Sequence, residues 1–104
     1  MEYKVHYRRD EETIRREGIR MLDDSTKTVH GTFDTEADND WKAIDNLKHE
    51  IFYEAKRLGH TLKRHTSDLL YFKDEWDIYG TNMTIVKCFT FSDFYIVKED
   101  NKNE

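Results

Sequence analysis

Apolar and polar residues change rhythm along this chain, and the rhythm predicts its elements. From residue 2 to 9, Tyr3, Val5 and Tyr7 alternate with Lys4, His6 and Arg8, the period of two that marks a half-buried strand. Farther on, Trp41, Ile44, Leu47, Ile51, Ala55 and Leu58 recur every three or four residues, one apolar stripe along a helix of nearly five turns. Thr35 and Asp38 match the Ser/Thr-x-x-Asp/Glu capping pattern, and Gly59 follows the last stripe residue, where a left-handed residue ends a helix. The spacing predicts a helix over about 36–58.

The segment 10–22 admits two readings. Asp10, Glu11 and Glu12 suit the first turn of a helix, but Gly18 and the polar run Arg15-Arg16-Glu17 give it little to bury. The favoured alternative is a loop, a strand over Ile19–Leu22, a turn at Asp23-Asp24-Ser25 and a second strand over Lys27–Phe33. After Gly59, strands are expected over Leu69–Phe72 and Trp76–Tyr79. A turn at Gly80-Thr81-Asn82 leads to a strand over Met83–Phe91, and a further turn at Ser92-Asp93 to one over Phe94–Val97. With Met83–Val97 counted as one strand turned at Ser92-Asp93, these elements predict an α+β fold in the order β-β-β-α-β-β-β, an antiparallel sheet with the long helix on one face. Residues 1–97 form the expected single domain and 98–104 a disordered tail.

Composition bounds this picture. Leu, Ile, Val and Phe make up twenty-three of 104 residues, just above the roughly 20% below which chains stay disordered, so the expected core is thin. The longest apolar runs are four residues, Leu69–Phe72 and Phe94–Val97, against about 20 for a membrane-spanning helix. The first residues lack a signal peptide's apolar stretch, and Cys88 has no second thiol to pair with. These features suit a cytoplasmic protein away from membranes. The absence of proline and glutamine beside abundant Lys, Asn, Asp and Ile fits a GC-poor coding sequence, as in many phages and mobile elements.

Charge is abundant and unevenly placed: 38% of residues are charged and the net charge is −5. Residues 23–40 carry Asp23, Asp24, Asp34, Glu36, Asp38 and Asp40 against Lys27 alone. Residues 42–65 carry an excess of bases, and residues 68–77 an excess of acids again. Acids opening a helix and bases closing it complement its dipole, which explains much of this pattern without a partner.

Chemistry-bearing motifs are scarce. The alternation Asp34, Glu36, Asp38, Asp40 resembles a calcium loop, but Asn39 stands where the loop needs glycine and Asp45 where it needs glutamate. His60 and His65 are five apart, which suits exposed histidines in a polar connection better than zinc ligands. Cys88 between Lys87 and Phe89 reads as a small buried hydrophobe. His6 and Arg8 share a strand face, as in acid–base ribonucleases, but no matching glutamate is marked. No metal or cofactor is expected, and no enzyme activity.

What remains is a small acidic protein-binding module, such as a phage or mobile-element inhibitor of a host nucleic-acid enzyme. Its expected partner-binding residues are Asp34, Asp38, Asp40, Asp74, Glu75 and Asp77, with Trp76 as an aromatic anchor. One alternative is an RNA- or DNA-binding domain using Lys56, Arg57, Lys63 and Arg64. A third reading is an immunity- or antitoxin-type partner protein. The sequence leaves oligomeric state open.

Overall fold

The structure, a computed structural model, describes residues 1–97; the tail expected over 98–104 lies outside them. In chain order the elements are β1 (Glu2–Glu17), β2 (Arg20–Glu36), α1 (Asp40–Leu58), β3 (Leu62–His65), β4 (Leu69–Asp77) and β5 (Met83–Ile96). The five strands form one sheet in the order β2-β1-β5-β4-β3, antiparallel throughout. The α+β class expected from the sequence is correct; the order β-β-β-α-β-β-β is corrected to β-β-α-β-β-β.

The largest correction is residues 10–17, expected as helix or loop, which are strand; of the strand expected over Ile19–Leu22, Ile19 falls in the turn and Arg20–Leu22 open β2. β1 runs unbroken to Glu17, and the expected turn at Asp23-Asp24-Ser25 lies inside β2. Ladder pairing on both sides of β1 keeps this polar stretch extended: Glu11 faces Lys27 in β2 and Phe89 in β5, and Thr13 faces Ser25 and Lys87. Similarly, Leu69–Asp77 is one strand instead of two, and Leu62–His65 is a strand the sequence did not reveal.

The turn expected at Ser92-Asp93 is a β-bulge. Asp93 has φ 55°, and the β1–β5 register shifts between His6 and Arg8. The extra residue reverses the side-chain alternation, so Phe89 and Phe91 before it and Phe94 and Ile96 after it all pack on the core.

α1 starts at Asp40, later than expected. Its N-cap is Asn39, whose side-chain oxygen accepts from the Lys42 N–H at 2.8 Å. Thr35 stays in β2, where its hydroxyl accepts from Asn46 Nδ2 at 3.0 Å. The C-cap is Gly59 as expected, at φ 82°. Its N–H reaches the Lys56 carbonyl at 3.2 Å and the His60 N–H reaches that of Ala55 at 2.8 Å, the paired bonds of a Schellman turn.

The helix buries Ala43, Leu47, Ile51 and Ala55 against Val5, Ala37, Leu70 and Phe72 of the sheet side. Trp41 and Leu58, the ends of the expected stripe, fall outside this contact, Trp41 at 72% exposure. Cys88 is buried, on the sheet face opposite the helix, as the alternation from Phe89 requires.

α1 covers only part of the sheet. The molecule measures 62 × 22 × 19 Å with a radius of gyration of 17.4 Å, against about 13 Å for a compact chain of this length. The uncovered end of the sheet, where the β1–β2 and β4–β5 hairpins turn, therefore projects beyond the core.

Candidate functional site

At that projecting end the two hairpins meet. Glu17 and Arg20 pair across a two-residue loop, Gly18-Ile19. Gly18 has φ 61° and Ile19 is not among the positive-φ residues, which is the II′ pattern that matches strand twist. The second turn spans 78–82, where the Ile78 carbonyl accepts from the Thr81 N–H at 3.2 Å and from its hydroxyl at 2.8 Å. The Gly18 N–H then donates to the Asn82 carbonyl at 3.0 Å, joining the two tips.

At this junction several apolar side chains stand exposed among the described residues. Ile19 and Tyr79 are fully exposed, and Met21, Ile78 and Trp76 are exposed around them. Trp76 sits opposite Ile85 on the helix side of the sheet, past the end of α1, and keeps 47% of its surface open. A ring of charge surrounds the cluster. Arg15 holds Asp23 through its Nε at 2.8 Å, which keeps the Asp23 carboxyl below its ordinary range. On the sheet face opposite Trp76, by strand alternation, Arg16 pairs with Glu75 at 2.9 Å, and Asp77 accepts from the Thr84 hydroxyl at 2.7 Å. On that same face Glu12 shares a hydrogen bond with Asp24; that contact, partial burial and the neighbouring negative charge together raise the Glu12 carboxyl above its usual range.

The seven residues expected to form the partner surface divide into two groups. Asp34 lies opposite Lys4, whereas Asp74 lies opposite Lys87, which faces Thr13. Nine residues of β1 separate Lys4 from Thr13, about 30 Å of strand. Asp34 is bound to Lys4 at 2.9 Å. Asp40 hydrogen-bonds Tyr3 near the start of α1, and Asp38 also contributes to the charge felt by Tyr3. Asp74, Glu75, Trp76 and Asp77 lie at or beside the hairpin end. Asp74 is committed to the fold: it accepts from the Thr61 N–H at 3.0 Å and meets His60 Nδ1 at 2.5 Å. His60 also packs on Phe89, with ring centres 4.6 Å apart, and His65 packs edge-on against Phe52. His60 is therefore half-buried, against expectation, whereas His65 is exposed as expected but stands in β3 instead of a connection.

The basic residues are also dispersed. Lys56 and Arg57 end α1, and Arg57 is tied to Glu54 at 2.7 Å. Lys63 and Arg64 follow on β3, where the register shift between Leu62 and Arg64 lets both line a shallow hollow with Tyr71. On the face opposite the helix, His6 stacks on Tyr95 with ring centres 5.0 Å apart. Arg8 is engaged by Asp10, whose carboxyl is lowered first by the Thr28 hydroxyl and then by Arg8. Tyr71 donates to Cys88 Sγ at 3.2 Å, and that bond, with burial and nearby charge, pushes the phenol up to about 12.

Among the described residues no three His, Cys, Asp or Glu side chains converge to hold a metal ion, and no helix is long and apolar enough to cross a membrane. Comparison with protein-family models, curated proteins and solved structures found no match to this chain.

Sequence reasoning missed the tip because Ile19 and Tyr79 lie near other apolar residues, which places them within the expected strands Ile19–Leu22 and Trp76–Tyr79. The one signal available was the presence of Gly18 and Gly80 beside them, each a mark of a tight turn.

Proposed function

We propose that this protein is a binding module that engages another protein through its two-hairpin tip. The observation carrying this reading is the Gly18–Asn82 hydrogen bond, which sets Ile19, Tyr79, Ile78 and Trp76 at one end of an elongated molecule. Exposed aromatic and aliphatic residues ringed by charge have the composition of an interface core and its rim. Asp24 and Asp77 make no salt bridge among the described residues, unlike Asp23 and Glu75, and give the rim an acidic character, so the fitting partner presents an apolar pocket bordered by Lys or Arg. A mobile-element inhibitor acting on a nucleic-acid enzyme would use such a surface, as would an immunity-type partner.

The test compares capture by the wild-type chain, by Ile19→Ser/Tyr79→Ser and by Trp41→Ser at the far end, with circular dichroism as the fold control. A protein retained by wild type and Trp41→Ser but lost with the double variant supports the reading. Equal retention by all three overturns it.

A second reading rests on Lys63, Arg64 and Lys73. These neighbouring cations on β3 and β4 make no salt bridge among the described residues, in contrast to Lys4, Arg8, Arg15, Arg16 and Lys87, which all do. With Tyr71 beside them they suit a single-stranded nucleic acid. Retention on heparin that falls steeply with salt and is lost in Lys63→Glu/Arg64→Glu supports it; flow-through at low salt removes it.

A further inference from the structure

Between the C-terminal half of α1 and the sheet lies a cavity of about 320 Å³, about ten water volumes. Its walls are mainly apolar, with Phe33, Leu47, Ile51, Phe72, Phe89 and Phe91 on three sides. The sheet side also offers Arg9 and Tyr7, the helix side Glu50 and Glu54, and the helix exit His60. The Tyr7 ring lies across Gly31 of β2, where any Cβ would collide with it.

Arg9 is the one strong cation in this lining. Its Nε is shut off from solvent and has no hydrogen-bond partner. Glu11, the next carboxylate on that face of β1, is engaged by Lys87 at 3.0 Å, and Glu54 is held by Arg57. A guanidinium nitrogen without an acceptor loses its hydration and receives nothing in return. A cleft with mainly apolar walls, open to solvent on one side, and one unsatisfied polar group is how a small-molecule site is built.

We infer that this cavity binds a small apolar monocarboxylate, its chain or ring against the phenylalanine walls and its carboxylate on the Arg9 guanidinium. Carboxylate and guanidinium match in a two-bond fork. Glu50 and Glu54 at the helix side disfavour a second negative charge, which restricts the ligand to one anionic group. The site is separate from the hairpin tip and does not rest on the proposed partner.

Calorimetric titration of the full chain with octanoate, 1-octanol and octylammonium tests the inference, beside Arg9→Met, which keeps the apolar stem. Saturable one-to-one binding of octanoate is expected, about tenfold or more tighter than octanol and octylammonium, with that preference erased in Arg9→Met. Three results each overturn it: no saturation by about 10 mM octanoate, equal or better binding of octylammonium, or unchanged octanoate affinity in Arg9→Met. The ligand series on the wild-type chain decides the matter even if the variant does not fold.

Discussion

The Gly18 N–H donates to the Asn82 carbonyl at 3.0 Å, so two hairpin turns far apart in the chain are held as one surface. Gly18 can occupy its φ of 61° because it lacks a Cβ, and an added Cβ would lie 3.2 Å from Asn82 Nδ2. A non-glycine residue there carries left-handed strain of about 1–3 kcal/mol. Gly18→Ala is therefore expected to lower the thermal midpoint by roughly 5 °C or more. Gly80→Ala, with φ 79° but open space around it, should cost less. Differential scanning calorimetry of both variants checks the order.

Asp74 was expected to face a partner, yet it joins the helix exit to β4. Losing its bonds to the Thr61 N–H and to His60 leaves two donors short of an acceptor, the His60 ring nitrogen in a part-buried position. Asp74→Ala should destabilise by about 2 kcal/mol, whereas Asp38→Ala should stay within about 0.5 kcal/mol. Urea denaturation of the two variants separates a structural acid from a surface one.

The helix stripe divides into a packed middle and an open end. Leu47 is almost fully buried and Trp41 is 72% exposed. Leu47→Ala is expected to cost about 2–5 kcal/mol, and Trp41→Ala about 0.5 kcal/mol or less. Chemical denaturation measures both; a larger loss for Trp41 would contradict the placement of α1.

Glu12 gives a pH dependence opposite to that of most carboxylates. Its hydrogen bond with Asp24 raises its folded-state value above the unfolded one, so folding favours the protonated acid. The stabilising effect is present in acid and is lost as pH rises through the folded value. Glu12→Gln mimics the protonated group. It should melt above wild type at pH 7, and the two curves should converge below about pH 4. Melting curves across that range check the sign.

The sequence revealed the elements whose faces differ in polarity. Leu47, Ile51 and Ala55 recur on one side of α1, and Gly59 ends it, because one helix face meets the core and the other meets water. Val5 with Tyr3 and Tyr7 was legible for the same reason. The distal halves of β1 and β2 were not, since neither face there is covered by α1 and no apolar alternation is required. Neighbouring strands hold Glu11–Glu17 extended, and that support comes from residues far away in the chain. The Asp93 bulge concealed the unity of β5 by reversing the alternation after Phe91. Of the residues expected at the partner surface, Glu75, Trp76 and Asp77 share β4. Their grouping with Asp34, Asp38 and Asp40 failed because proximity along a chain does not survive about 30 Å of extended strand.

Site-specific photo-crosslinking reads the recognition surface most directly. A photoreactive phenylalanine analogue replaces Tyr79 at the hairpin tip in one chain and Tyr53 on the exposed side of α1 in another, each used in cells that contain the natural partner. The account predicts a discrete crosslinked protein from position 79 and none from position 53. Crosslinking from position 53 alone would move the binding surface to the helix and contradict it.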